Sequence, residues 1–318
     1  MDSAEDRLLE WLARRAGASA AAPELQIGIG DDAAVLALAG RWVATTDAVV
    51  EGVDFVRPGA SWRDVGYKAM AVNLSDVAAM GCRPRFALDV LALGPGASEE
   101  DAREIVLGIE EAAAPFGVVL AGGDISASPG PTMVVVVLLG EDVCGRTLTR
   151  SGASSGDEIW ATGAFGGSIL SRHLRPAPRV DFALALNRRA PVTAAIDVSD
   201  GLAKDLSRLA AASRVGARIE EALVPVHPDA LALAARTGKT PLEHALGDGE
   251  DFELLFVVRP GFEELVVQIG RETSTPVRRI GLATDTAGTG AGLSIVCMDG
   301  NVEPLSPAGY SHDWTRSR

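Results

Sequence analysis

Apolar and polar positions alternate between a helical period and an extended one several times along the chain. Leu8, Leu9, Trp11 and Leu12 form an apolar stripe that predicts a helix over 5–16. The run "AVLALAGRWVATTD" (34–47) reads as two strands joined at the Ala39–Gly40 turn. Helical spacing returns over 62–80, "WRDVGYKAMAVNLSDVAAM", and stops at Gly81, a residue suited to a C-cap. "PRFALDVLAL" predicts a strand. "SEEDAREIVLGIEEAAAPFG" predicts a helix with Ser98 as N-cap and an acidic first turn. "VVLAGGDIS" and "TMVVVVLLGE" predict two more strands, the second a buried one by its β-branched run.

Around 141–156, within "EDVCGRTLTRSGASSGDE", the periodicity lapses and turn residues accumulate. The boundary placed there divides the chain into domains 1–145 and 146–318. The second half restarts with the strand "EIWATG", a Gly-rich turn and an amphipathic helix. It continues with "TAAIDVSDGLAKDLSRLAAAS" (strand, turn, helix), "EDFELLFVV" (strand), "FEELVVQIGRE" (helix) and "VRRIGLAT" (strand). "LSIVCMDGNVEPL" predicts a hairpin turning at Asp299–Gly300. The expected class is α/β (α+β): two domains, each with a mixed sheet and flanking helices.

Composition narrows the function more than the fold. The 318 residues are 47% hydrophobic and 23% charged, with a formal net charge of −14. That balance disfavours a nucleic-acid or anionic-membrane partner, both of which need clustered Lys and Arg. It permits anionic substrates, because bound divalent cations reverse the local field. Cys82, Cys144 and Cys297 are widely spaced and form no CxxC pair, which fits a reducing compartment. "MDSAEDRLLEWLARR" lacks the charged start and apolar core of a signal peptide, and no run approaches the roughly 18 apolar residues of a membrane span. A cytoplasmic protein is expected.

Two phosphate-loop matches fail on context. Gly28-x-Gly30-x-x-Ala33 meets a loose dinucleotide fingerprint, but no crossover helix follows it, and Asp31 and Asp32 would face the pyrophosphate. "TGKT" (237–240) imitates the end of a P-loop, yet Leu233 stands where a glycine is required. His173, His227, His244 and His312 are scattered and form no metal-binding spacing.

What does recur is an aspartate beside glycine or a hydroxyl residue, at a strand end or helix start. The instances are Asp31 and Asp32 in "GIGDDA"; Thr45, Thr46 and Asp47 in "ATTDA"; Asp76 in "NLSDVAAMG"; Asp124 in "LAGGDIS"; Asp197 and Asp200 in "IDVSDGL"; and Glu250 and Asp251 in "GDGEDFEL". Any one of these could be a cap or turn aspartate. Asp76 resists that reading because it sits inside a helical apolar pattern, where aspartate has poor propensity. Asp124 ends an apolar strand at Gly–Gly, where backbone can approach a ligand. Carboxylates converging on one cleft repel strongly, so such a cluster calls for divalent cations. An oxygen-rich set poor in Cys and His suits Mg²⁺ shared with substrate phosphates.

The blocks "GIGDDAAV", "TTDAVVEGVDF", "YKAMAVNLSDVAAMGCRPRFALDVLALG", "AGGDIS", "GRTLTRSGASSGDEIWATG", "HLRPAPR", "AIDVSDGL", "GEDFELLF" and "GYSHDW" follow one another in order over nearly the whole chain. In this they resemble the thiamine-monophosphate kinase family, within the aminoimidazole-ribonucleotide-synthetase-like superfamily. The resemblance implies a two-domain fold, a homodimer paired through the N-terminal domains and an ATP cleft near the domain junction. It implies transfer of the γ-phosphoryl of ATP to thiamine monophosphate, with several Mg²⁺ ions. It assigns Asp31, Thr45, Thr46, Asp47, Asp76, Asp124, Asp197 and Asp200 to metal. Gly123, Asp124, Arg150 and Ser199 are assigned to nucleotide, with Asp124 and Arg150 catalytic. Asp54, Glu250 and Tyr310 are assigned to substrate. One residue departs from the pattern: the family usually carries histidine where this chain has Asp54, which bears on substrate specificity. The other readings the sequence allows are another ring-closing, ATP-using superfamily member or a silent nucleotide-binding dimer.

Overall fold

The structure is a computed structural model that describes residues 4–18, 22–29, 33–57, 59–170, 172–285 and 292–311. Asp31, with its neighbours Gly30 and Asp32, lies outside the described residues. The chain divides into two units, Met1–Val77 with Cys82–Gly145, and Ala78–Gly81 with Arg146–Arg318.

The first unit contains α1 (Ala4–Ala18), β1 (Leu25–Ile27), β2 (Val35–Leu36), β3 (Trp42–Val50) and α2 (Trp62–Ala79). It continues with β4 (Arg83–Leu93), α3 (Glu99–Ala113), β5 (Val119–Ala127) and β6 (Met133–Glu141). Its four-stranded sheet has the order β3-β6-β4-β5, with β4 and β5 parallel across α3 and the other pairs antiparallel. Helix α3 begins at the expected cap: the Ser98 hydroxyl accepts from the Asp101 amide, and the Asp101 carboxylate accepts from the Ser98 amide. The predicted strands within 34–47 both exist, but they do not pair with each other. Strand β2 pairs with β1, while β3 runs along β6 for nine residues. Nine ladder pairs outweigh the local turn, and sequence period alone cannot choose a strand's partner.

Helices α2 and α3 meet backbone to backbone. A Cβ added at Gly66 would lie 1.9 Å from the Ile105 carbonyl oxygen, and one at Gly108 would lie 2.0 Å from the Arg63 carbonyl oxygen. Helix α2 lies against the sheet where Gly140 leaves room for Val77 and Val43. One sheet face is therefore covered by helix. The opposite face, along Leu88, Val90, Val135 and Val137, is left partly open.

The second unit contains β7 (Glu158–Thr162), α4 (Val180–Arg189), β8 (Val192–Val198), α5 (Leu202–Ser213), β9 (Gly216–Glu220), α6 (Pro228–Thr237) and α7 (Pro241–Gly247). Then come β10 (Glu253–Val258), α8 (Glu263–Glu272), β11 (Val277–Thr284), β12 (Leu293–Val296) and β13 (Val302–Pro304). The seven-stranded sheet has the order β13-β12-β9-β11-β7-β10-β8. Its core joins Ile196 and Val198 of β8 and Leu255 and Val257 of β10 to Leu202, Leu206 and Leu209 of α5. The hairpin β12–β13 turns at Gly300, whose φ of 86° explains the glycine. "TGKT" is the C-cap of α6 at Gly238 followed by the N-cap of α7 at Thr240.

Gly66→Ala tests the helix contact. Alanine improves helix propensity by about 1 kcal/mol, but an added methyl must displace a main-chain carbonyl. Overpacking of that kind costs about 1–3 kcal/mol. The urea midpoint is expected to fall; an unchanged or higher midpoint would refute the close contact.

Candidate active site

In the first unit, strand alternation points Thr45 and Asp47 to the face that carries α2, and α2 supplies Asp76. The Thr45 hydroxyl donates to Asp76 Oδ2 at 2.5 Å. Asp47 lies close enough to Asp76 for the two carboxyls to act directly on one another. Loss of surrounding water raises the Asp47 carboxyl well above the usual carboxylate range, and the charges of Asp76 and Asp54 raise it further. Two carboxyls are thus held side by side by rigid elements, a repulsion that a cation between them would relieve. All donors here are oxygens, the set that suits Mg²⁺. One turn before Asp76, Asn73 is fully buried; its Nδ2 donates to the Ala69 carbonyl, while Oδ1 has no partner among the described residues. Among the described residues, no group of three or more His, Cys, Asp or Glu could hold a metal ion. Within them the cluster is therefore two aspartates and a threonine.

Not every first-unit acid joins that cluster. Thr46 and Asp124 point to the opposite, open sheet face by alternation, in the cross-strand rows of Val137–Leu88–Gly122 and Val135–Val90. Strands β3 and β5 are the two edges of this sheet, three strand spacings or about 14 Å apart. The sheet does not bring Asp124 beside Asp47. Gly123, next to it, is needed for space: a Cβ there would lie 1.9 Å from Asp89 Oδ1. Asp89 is buried on β4, its Oδ2 has no partner among the described residues, and burial pushes its carboxyl up to about 7. Asp54 follows β3 and folds back on it. Its carboxylate accepts from the Val50 amide at 2.8 Å, and the buried Lys68 Nζ donates to its carbonyl at 2.7 Å.

In the second unit, β8 ends at the buried Asp197 and Val198, and the turn 199–201 leads into α5. Asp205 holds that turn: its Oδ2 accepts from the amides of Ser199 (3.1 Å) and Asp200 (2.9 Å). The Asp200 carboxylate is already engaged by Arg208 at 2.5 Å and Lys204 at 2.9 Å. The loop 247–252 lies against the same turn. Glu250 and Phe252 donate their amides to the carbonyls of Ser199 (2.7 Å) and Val198 (2.9 Å). Both have positive φ, 54° and 50°, a conformation strained for non-glycine residues. The residues that hold this loop are buried acids. Asp251 accepts from the Gly166 amide at 3.0 Å and pairs with Arg172 at 3.3 Å, and Glu253 pairs with Arg179. Tyr310 is attached through its amide to the Asp200 carbonyl at 2.9 Å, and its side chain is left 46% exposed. Arg150 is exposed, with its carbonyl accepting from Ser213.

Asp89 and Asp205 are the residues the site reading passed over. Each carried a signal: Asp205 falls on the apolar stripe of Leu202, Leu206 and Leu209, and Asp89 alternates with Ala87 and Leu91 on a buried strand face. An acid on a buried face needs partners or a proton.

The chain is of the AIR synthase related class: the family model of its N-terminal domain matches residues 30–141, and that of its C-terminal domain matches residues 134–293. Within that class, the thiamine-monophosphate kinase of Rhodopirellula baltica is 43% identical over 314 residues, spanning 96% of this chain and 97% of the relative. A crystal structure of thiamine-monophosphate kinase from Stenotrophomonas maltophilia K279a superposes with a TM-score of 0.80 at 31% identity, covering 94% of this chain and 97% of the other. A relative solved in complex with AMPPCP and TMP has a TM-score of 0.73 at 29% identity and covers 96% of each chain. The chain belongs to the thiamine-monophosphate kinase family.

Two outcomes test the acids. Asp76→Asn removes one of two repelling carboxyls while keeping an oxygen for Thr45. In EDTA its melting temperature is expected to equal or exceed that of the parent, and a clear drop would make Asp76 a structural residue. Asp89 binds its proton more tightly folded (about 7) than unfolded (about 3.9). Its contribution to stability is present at low pH and lost as pH rises through 7. The fall in urea midpoint between pH 5 and pH 8 should therefore be smaller in Asp89→Asn than in the parent. Equal slopes would show that Asp89 is ionised throughout.

Proposed function

We propose that this enzyme transfers the γ-phosphoryl group of ATP to thiamine monophosphate, giving thiamine diphosphate and ADP. The observation that carries the reading is the Thr45–Asp47–Asp76 cluster, formed by rigid elements in a chain similar to thiamine-monophosphate kinases along nearly its whole length. The acceptor oxygen belongs to a phosphate that is already ionised at neutral pH, so no general base is required. The bond from the γ-phosphorus to the β–γ bridging oxygen breaks as the bond to the acceptor oxygen forms.

In this reading Thr45, Asp47 and Asp76 hold one magnesium, and Asp31, Thr46, Asp124, Asp197 and Asp200 supply oxygen donors to further ones. The close Asp47–Asp76 pair with the Thr45 hydroxyl, an all-oxygen set on rigid elements, is the property of this structure that fits a divalent cation. When bound, magnesium cancels charge on the two phosphates that must approach one another. Gly123, Asp124 and Ser199 contact the nucleotide, and Arg150, which is exposed, pairs its guanidinium with the transferring phosphate oxygens. Tyr310 stacks on a thiamine ring, and Glu250 and Asp54 are assigned to the same substrate. Residues 1–145 are assigned to metal, nucleotide and dimer formation; 146–318 complete the ATP and substrate cleft. The open face of the four-stranded sheet, where Leu88 is 39% and Met133 36% exposed, is the surface proposed to pair two copies. A cytoplasmic location follows from the need for ATP; no helix among the described residues is long and apolar enough to cross a membrane.

Incubation with ATP, Mg²⁺ and thiamine monophosphate, followed by chromatography, should yield thiamine diphosphate; no product at any magnesium concentration would refute the proposal. Asp54→His is expected to retain or raise kcat/KM for the acceptor. Two main-chain bonds, Asp54 N to Val50 O and Lys68 Nζ to Asp54 O, keep the turn without the carboxylate. A large loss of activity would give Asp54 a role of its own.

A further inference from the structure

Near its described end the chain returns to the β8–α5 turn, and a single lysine holds it there. Lys204, in the first turn of α5, places Nζ 2.9 Å from Asp200 Oδ2. The same ammonium donates to the Tyr310 carbonyl and, at 2.9 Å, to Ser311 Oγ. Its stem lies over Gly309: a Cβ there would meet the Asp200 carbonyl oxygen at 2.5 Å and Lys204 Cβ at 2.7 Å. Gly309 has no left-handed φ, so the close approach alone calls for glycine. The Tyr310 amide completes the attachment by donating to the Asp200 carbonyl at 2.9 Å. The main chain of 309–311 is thus fixed on both sides of a tyrosine whose side chain is half exposed.

We infer that Lys204 is a positioning residue: it clips the segment Gly309–Ser311 to the Asp200 turn and so sets where Tyr310 meets the aromatic part of the phosphate acceptor. The inference rests on the reading above in which Tyr310 contacts that substrate. A lysine suits the task because one ammonium has three donors and satisfies a carboxylate, a carbonyl and a hydroxyl together. Asp200 supplies both the charge that anchors the ammonium and the carbonyl that receives the Tyr310 amide. Arg208 holds Asp200 Oδ2 independently at 2.5 Å, so the turn itself does not depend on the lysine.

Lys204→Met keeps the apolar stem and removes the donors, whereas Lys204→Arg keeps charge and donors. Lys204→Met is expected to raise KM for thiamine monophosphate roughly tenfold, the effect of losing about one charge-assisted hydrogen bond. KM for ATP and the melting temperature should stay near the parent values, and Lys204→Arg should recover most of the loss. Gly309→Ala, which forces the segment off by contact with main chain, should raise the same KM. The double variant should be no worse than either single one, since both break one attachment. Hydrogen exchange supplies a readout that needs no activity: the Tyr310 amide should exchange faster in Lys204→Met and in Gly309→Ala. Unchanged exchange, or equal rises in KM for both substrates, would overturn the proposal. A parent protein that makes no thiamine diphosphate but shows faster exchange in both variants would refute the functional reading and leave the clip standing.

Discussion

Like charges in contact repel, and the structure is organised around one place where that repulsion is imposed. Asp47 and Asp76 would separate if either backbone could yield. Neither can. Strand β3 is paired with β6 along its whole length, and α2 is locked to α3 where Gly66 and Gly108 allow main chain to touch main chain. The repulsion shows in the Asp47 carboxyl, which is raised well above the usual carboxylate range. A divalent cation between the two would relieve it without needing the elements to move, so the preorganisation lies in the scaffold.

The second unit treats its acids differently. Asp200 is paired with Lys204 and Arg208, Asp251 with Arg172 and a backbone amide, Glu253 with Arg179, and Asp205 with Arg208 and two turn amides. These acids are compensated from within the protein. A cation approaching Asp200 must compete with two side-chain cations. The first-unit cluster is therefore the stronger candidate for metal.

Much of this was legible in the sequence, for physical reasons that differ from residue to residue. Ser98 with Asp101, the Gly300 turn and the glycine after α2 are local devices, and local devices can be read from a few neighbours. Asp76 was legible because an aspartate inside a helical pattern has no local purpose. The pairing of β2 with β1 was not legible, because a two-residue strand carries no period. Nor was the separation of Asp47 from Asp124. It depends on strand order and register, which place β3 and β5 at opposite edges of one sheet. A motif that places aspartates in order along the chain says nothing about which face each will take.

The loop at 247–252 shows what structure adds. Nothing in "GDGEDFEL" signals that Glu250 and Phe252 take left-handed backbone, a conformation costing about 1 kcal/mol or more at each. The strain persists because its neighbours are fixed. Asp251 is buried against the Gly166 amide, Glu253 is bonded to Arg179 and Thr162, and the two strained amides are tied to β8 and its turn. Those anchors leave Glu250 one conformation, beside the turn that also carries Ser199, Asp200 and the clipped Tyr310. Strain held by buried ion pairs is an expense that stability alone does not explain. It is consistent with the substrate contact proposed for Glu250.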